Sequence, residues 1–181
     1  MENALKNIAL KYNCDFHQFD GTYNLGVDIR NLPTKNIRFT KEENDFKLKA
    51  TFMFLWGLST KPKFSSGSFS DRFNFSLKCE LNSSNLSNFH IMESGFFSQI
   101  FFNKTFKLSC KDNDLKRLLL ENKHINSIFN FSKKSSDFSP IIESKTKNNL
   151  TSININFQSD ELVPDIIEKC IEFCNDLRKL R

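Results

Sequence analysis

Glycine is scarce in this chain, 5 residues in 181, so a glycine-rich turn that cradles a phosphate has nowhere to be built. Long apolar runs are missing too. The longest, Phe52 to Trp56, is of strand length, and no stretch reaches the roughly 18 uninterrupted apolar residues of a spanning helix. The opening Met-Glu-Asn-Ala-Leu-Lys-Asn has no basic segment ahead of an apolar block, so no signal peptide is expected and the expected address is the cytoplasm. The three histidines, His17, His90 and His124, form neither His-x-x-x-His nor His-Glu-x-x-His, and there is no Gly-x-Ser-x-Gly nucleophile elbow. The five cysteines include no Cys-x-x-Cys pair, and their odd number suits free thiols. Charge of one sign is not concentrated either. The formal net charge is +5, but the densest basic groups are only Lys133-Lys134, Lys145 with Lys147, and Arg178-Lys179 with Arg181. A coding sequence rich in adenine and thymine would produce this Asn-, Lys-, Ile- and Phe-rich profile without selection for a polyanion.

Phenylalanine is what the chain has in quantity, 21 residues, much of it in alternating runs that describe sheet faces in need of cover. Phe46 to Trp56 places Phe46, Leu48, Ala50, Phe52, Phe54 and Trp56 on one face. Phe69 to Leu81 does the same with Phe73, Phe75, Leu77 and Cys79, and the two runs read as antiparallel strands. Further strands are expected at Leu25–Arg30, around Ile37 and Phe39, at Phe89–Met92, at Phe106–Cys110 and around Ile153–Phe157. Asp15–Gly26, with Asp20-Gly21, reads as turn-rich, Asn31–Thr34 as a turn around Pro33, and residues 132–149 as weakly specified. Helices are expected over residues 2–13, from an Asp112 or Asn113 cap to Glu121 with a Leu115, Leu118, Leu119 stripe, and over Lys123–Phe131. A long closing helix starts at Ser159 or Asp160, with Pro164 tolerated in its first turn. Its stripe runs Val163, Ile166, Ile167, Cys170, Ile171, Cys174, Leu177, which makes Cys170 and Cys174 packed thiols rather than the start of a metal site. The fold class is α+β: one domain over residues 1–181, with a mostly antiparallel, twisted sheet packed against a long C-terminal helix.

Few residues offer chemistry. Cys14 and His17 suggest a thiolate–imidazole pair but have no orienting third group, and Asp15, Asp20 and Asp28 lack a calcium-loop pattern. No catalytic residue, metal or cofactor is expected. Phe96, Phe97, Ile100, Phe101 and Phe102 cluster beside Gly95, and no single periodicity buries them all on one face. They make protein–protein interaction, or self-association, the favoured function. An alternative is a nucleic-acid-binding sheet face using Lys47, Lys49, Lys61, Lys63, Arg72 and Lys78 beside Phe64 and Phe69. A pocket for a lipid or small apolar ligand is the third possibility.

The stretch Phe102–Glu121, followed by Ile153-Asn-Ile-Asn-Phe157 and the closing helix, resembles the soluble domain of uncharacterised bacterial proteins, some of them membrane-linked. Those carry a phenylalanine–aspartate pair before a phenylalanine-containing strand, then a short helix, a strand and a terminal helix. Here Phe102-Asn103 stands at the pair, with asparagine in place of aspartate. Phe106 is the strand phenylalanine and Asp112–Leu119 the short helix. The resemblance spans about residues 100–180, implies the α+β fold in a bacterial setting, and adds no chemistry.

Overall fold

A computed structural model describes residues 2–24, 31–55, 72–82, 86–95, 105–132 and 138–180. Among these, eight strands and four helices follow one another as α1 (Glu2–Lys11), β1 (Asp15–Asn24), β2 (Asn31–Glu43), β3 (Phe46–Leu55), β4 (Arg72–Asn82), β5 (Phe89–Glu93), β6 (Phe106–Cys110), α2 (Asn113–Glu121), α3 (Lys123–Ser132), β7 (Ile141–Lys147), β8 (Leu150–Ser159) and α4 (Pro164–Arg178). The strands form one sheet in the order β1-β2-β3-β4-β8-β7-β5-β6, every pair antiparallel. The chain is therefore α+β. No described helix is long and apolar enough to cross a membrane.

Alternation decides which face is covered. On the helix side lie Ile37 and Phe39 of β2, Phe46 to Phe54 of β3, Phe75 to Leu81 of β4 and Ile153 to Phe157 of β8, all buried with Ile166, Ile167, Cys170, Ile171, Phe173, Cys174 and Leu177 of α4. An unbroken line of rings crosses this layer: Phe16, Phe39, Phe52, Phe75, Phe157, Phe138 and Phe131, with successive centroids 5.8, 5.0, 4.9, 4.6, 4.7 and 5.0 Å apart. Tilted pairs at these separations add edge–face attraction to the area they bury. Seven of the 21 phenylalanines are in this ladder.

Five expectations need correction. The closing helix is 15 residues and begins at Pro164, because Ser159 is still paired to Phe73 in β8. At about 1.5 Å per residue it spans about 22 Å, whereas eight strands about 4.8 Å apart span roughly 34 Å, so α1 and α3 share the covering. Asp15–Asn24 is a ten-residue strand rather than a turn region, held by pairing with β2 from Asp15↔Thr40 to Asn24↔Asn31. Pro33 lies inside β2, paired with Thr22 of β1, rather than in a turn. Ile141–Lys147 is a strand, joined to β8 by Asn148-Asn149 with φ of 53° and 60°, the left-handed pair of a tight hairpin. Leu118 is 45% exposed, leaving Leu115 and Leu119 as the buried stripe of α2. The proposed strand at Leu25–Arg30 lies outside the described residues.

Candidate functional site

The least conventional element is β1. On its helix side only Phe16 reaches the core; Gln18, Asp20 and Thr22 continue that face with polar, exposed side chains. On the outer face stand Asp15, His17, Phe19 and Gly21, directly across from Thr40, Arg38, Asn36 and Thr34 of β2. Gly21 is required there: a Cβ would come within 2.5 Å of Asn36 Nδ2 and 2.9 Å of Thr34 Oγ1. Those two groups are buried, and Asn36 Nδ2 donates to Thr34 Oγ1 at 3.0 Å. Phe19 is 38% exposed, with the Arg38 guanidinium 4.9 Å from its ring centroid.

Among the described residues β1 pairs only with β2, so its second edge has no described strand beside it. Side chains 15, 17–20 and 22 are all exposed. The usual edge guards, lysine and proline, are absent from Asp15–Asn24, leaving only the charges of Asp15 and Asp20. The opposite edge differs. β6 is five residues long, carries exposed Lys107 at its second position and runs straight into α2.

A second concentration of polar groups lies where α1, α3 and α4 meet. Asn122 Oδ1 accepts from the backbone N–H groups of His124 and Ile125 at 3.0 and 3.1 Å, starting α3 and setting the position of His124. The ring is 5% exposed; Nδ1 lies 3.1 Å from Glu172 and Nε2 3.3 Å from Asp176. Glu168, Glu172 and Asp176 form an i, i+4, i+8 stripe on α4, which also takes Lys11 (2.5 Å to Glu168) from the end of α1 and Tyr12 (3.0 Å to Glu172) from the turn that follows it. Burial lowers the His124 pKa below 6.5; Glu172 and Asp176 oppose this shift, while Lys169 and Lys123 assist it. Burial works to raise the Glu172 pKa, but hydrogen bonds from Lys169 and Tyr12 bring it below the carboxylate norm. Burial, then the Glu172 hydrogen bond, raises the Tyr12 phenol.

The two carboxylates sit against different ring nitrogens, so this trio does not converge on one cation; among the described residues no set of three metal-ligating side chains does. Ser127, beside it in a recess of about 440 Å³, donates its hydroxyl to the Lys123 carbonyl at 2.8 Å. The cluster is a polar pin between three helices.

Comparison of the chain with family models, curated proteins and solved structures finds no match.

Of the residues singled out in the sequence, Phe96, Phe97, Ile100, Phe101 and Phe102 lie outside the described residues, as do Lys61 and Lys63. Lys47, Lys49 and Lys78 do come together on the outer face, Lys49 directly opposite Lys78. Carboxylates are threaded among them: Lys47 pairs with Glu42, and Lys78 with Glu80 at 2.5 Å. Arg72 lies six residues from Lys78 along β4, about 20 Å away. Nearby, Met53, Asn74, Ile141 and Gln158 line a shallow recess of about 490 Å³ that mixes amides with apolar groups. Cys14 and His17 do not form a pair. The half-buried thiol, its pKa raised by burial, turns to the Tyr12 carbonyl at 3.7 Å, while His17 stands exposed on the outer face. Cys79, Cys170 and Cys174 are fully buried, and burial raises the pKa of the last two.

Two features were missed. The Asp20-Gly21 turn signal hid β1, although Gly21 serves close packing over Asn36 instead. The His124 pin was partly readable as the acidic stripe on the closing helix, but its histidine lies 48 residues from Glu172.

Proposed function

We propose that the chain is a non-enzymatic protein–protein interaction or assembly module. One observation supports this above the others: among the described residues nothing pairs with the second edge of β1, whose ten residues include neither lysine nor proline to guard it. Main-chain hydrogen bonds to such an edge are a general means of strand addition, with side chains on alternate faces supplying selectivity. Backbone hydrogen exchange tests the reading. In protein taken from its own host, outward-pointing amides of β1 should be protected, and dilution should release them. Amides that exchange as fast at high concentration in the host-derived material as in dilute protein would overturn it.

A second reading, a nucleic-acid-binding sheet face, is favoured by the direct Lys49–Lys78 juxtaposition. Glu42 and Glu80 beside these lysines weaken it. Its signature would be binding to a labelled single-stranded oligonucleotide that falls steeply with added salt.

A further inference from the structure

The association reading leaves open what occupies the β1 edge. Resting on that reading, we infer that the occupant is a second copy of this chain, paired β1 to β1 in antiparallel fashion about Phe19. The argument is one of symmetry and side-chain fit. A twofold axis that makes two copies of one strand antiparallel neighbours must stand perpendicular to the sheet, so directly opposed residues have numbers of the same parity. The strand then centres on a residue that faces its own copy, and few choices exist within Asp15–Thr22.

Centring on Asp20 sets carboxylate against carboxylate, a like-charge pair that destabilises the register. Centring on Gln18 sets Phe16 opposite Asp20 of the second copy, twice, forcing a carboxylate against a ring that packs on the core. Centring on His17 opposes only the segment Asp15–Phe19 and stacks two histidines.

Centring on Phe19 avoids these costs. The exposed ring meets its own copy on the outer face, where each already lies beside its Arg38. Gln18 faces Asp20 of the second copy, so an amide N–H can donate to a carboxylate at two symmetric places. His17 faces Gly21, where Asn36 and Thr34 already pack over the backbone, so the imidazole meets their polar groups and no side chain of residue 21. Phe16 faces Thr22. Because both outer faces lie on the same side, the two eight-stranded sheets run on as one and the helices of both copies cover the same side.

The test combines mass with site-specific cross-linking. Wild type should scatter light as twice the 21.1 kDa chain, and Phe19→Lys, which sets two ammonium groups face to face, should scatter as a single chain. In a background with Cys14→Ser and Cys110→Ser, which removes the two half-buried thiols, Phe19→Cys should form a covalent dimer under mild oxidation. His17→Cys should not, since its symmetric copy would be about 14 Å away, beyond the roughly 7 Å that a disulfide can bridge. The cross-link does not depend on how well Phe19→Lys folds. A dimer that survives Phe19→Lys and fails to cross-link at Phe19 would overturn the inference while leaving the association reading in place. A single chain by light scattering at every concentration also overturns it; the association reading then falls only if β1 amides in host-derived protein are unprotected as well.

Discussion

Phe75 sits at the centre of the ring ladder, 3% exposed, with Phe52 on one side at 4.9 Å and Phe157 on the other at 4.6 Å. Phe75→Ala removes both ring contacts and leaves a cavity that the flanking strands cannot close, so it should cost about 3–5 kcal/mol in denaturant unfolding. Buried His124 makes a different kind of contribution. Its pKa is lower in the folded chain than its ordinary 6.5, chiefly through burial, so the unfolded chain takes up the proton first. Its share of stability is complete above about pH 6.5 and is lost as pH falls through that value towards the folded pKa. Thermal scans from pH 7.5 to 5 should show a falling midpoint, and His124→Gln should flatten part of that fall. An unchanged slope in the variant would assign the pH dependence to other groups. Phe75 was legible from alternation alone, since its neighbours at Phe73 and Leu77 share its face. The surroundings of His124 were not, because Glu172 and Asp176 reach it only after α3 and α4 have docked.

Among the elements, α2 is the one whose start was most readable. The Asp112 side chain accepts from the backbone N–H of both Asp114 and Leu115 at 3.0 Å, satisfying two donors that the first turn leaves open. Asp112→Ala should therefore cost about 1 kcal/mol, seen as faster amide exchange in the first turn of α2 and a lower unfolding midpoint. A cap is local, so sequence reveals it. The β7–β8 hairpin should have been just as readable from Asn148-Asn149, but polar residues on both sides of that pair masked the alternation of Ile142 and Ser144. β1 is the opposite case. With one core residue, Phe16, it has almost no hydrophobic pattern of its own, and its strand form is imposed by the ladder to β2.

Across the described residues, one buried cluster joins residues of α1, seven of the strands (β2 to β8), α2, α3 and α4 with Phe138 and Val163, and it includes no gap at which they divide into two cores. Urea unfolding followed by far-ultraviolet and near-ultraviolet circular dichroism should therefore give superimposable transitions. Two separated transitions would show that α1 and the β1–β3 end unfold independently of the rest. The C-terminal end of α4 is tied to the far end of the β2–β3 hairpin by Arg178, which reaches Glu43 at 2.5 Å and Asp45 at 2.7 Å and lies 5.0 Å over the Phe46 ring. That contact, between residues more than 130 positions apart, helps to make the sheet and its cover one unit.

The sequence by itself determined the class of the fold, the inward faces of β3, β4, β8 and α4, and the buried fate of Cys170 and Cys174, because burial of alternating or helically spaced apolar groups depends on period and on little else. It carried no information on which strand would end at the edge of the sheet, or on which carboxylates would surround His124. Strand order and helix docking are set by contacts between distant segments, each too weak to leave a local pattern. Only the tertiary structure decided that the strand with the poorest pattern, β1, would stand at an edge of the described sheet.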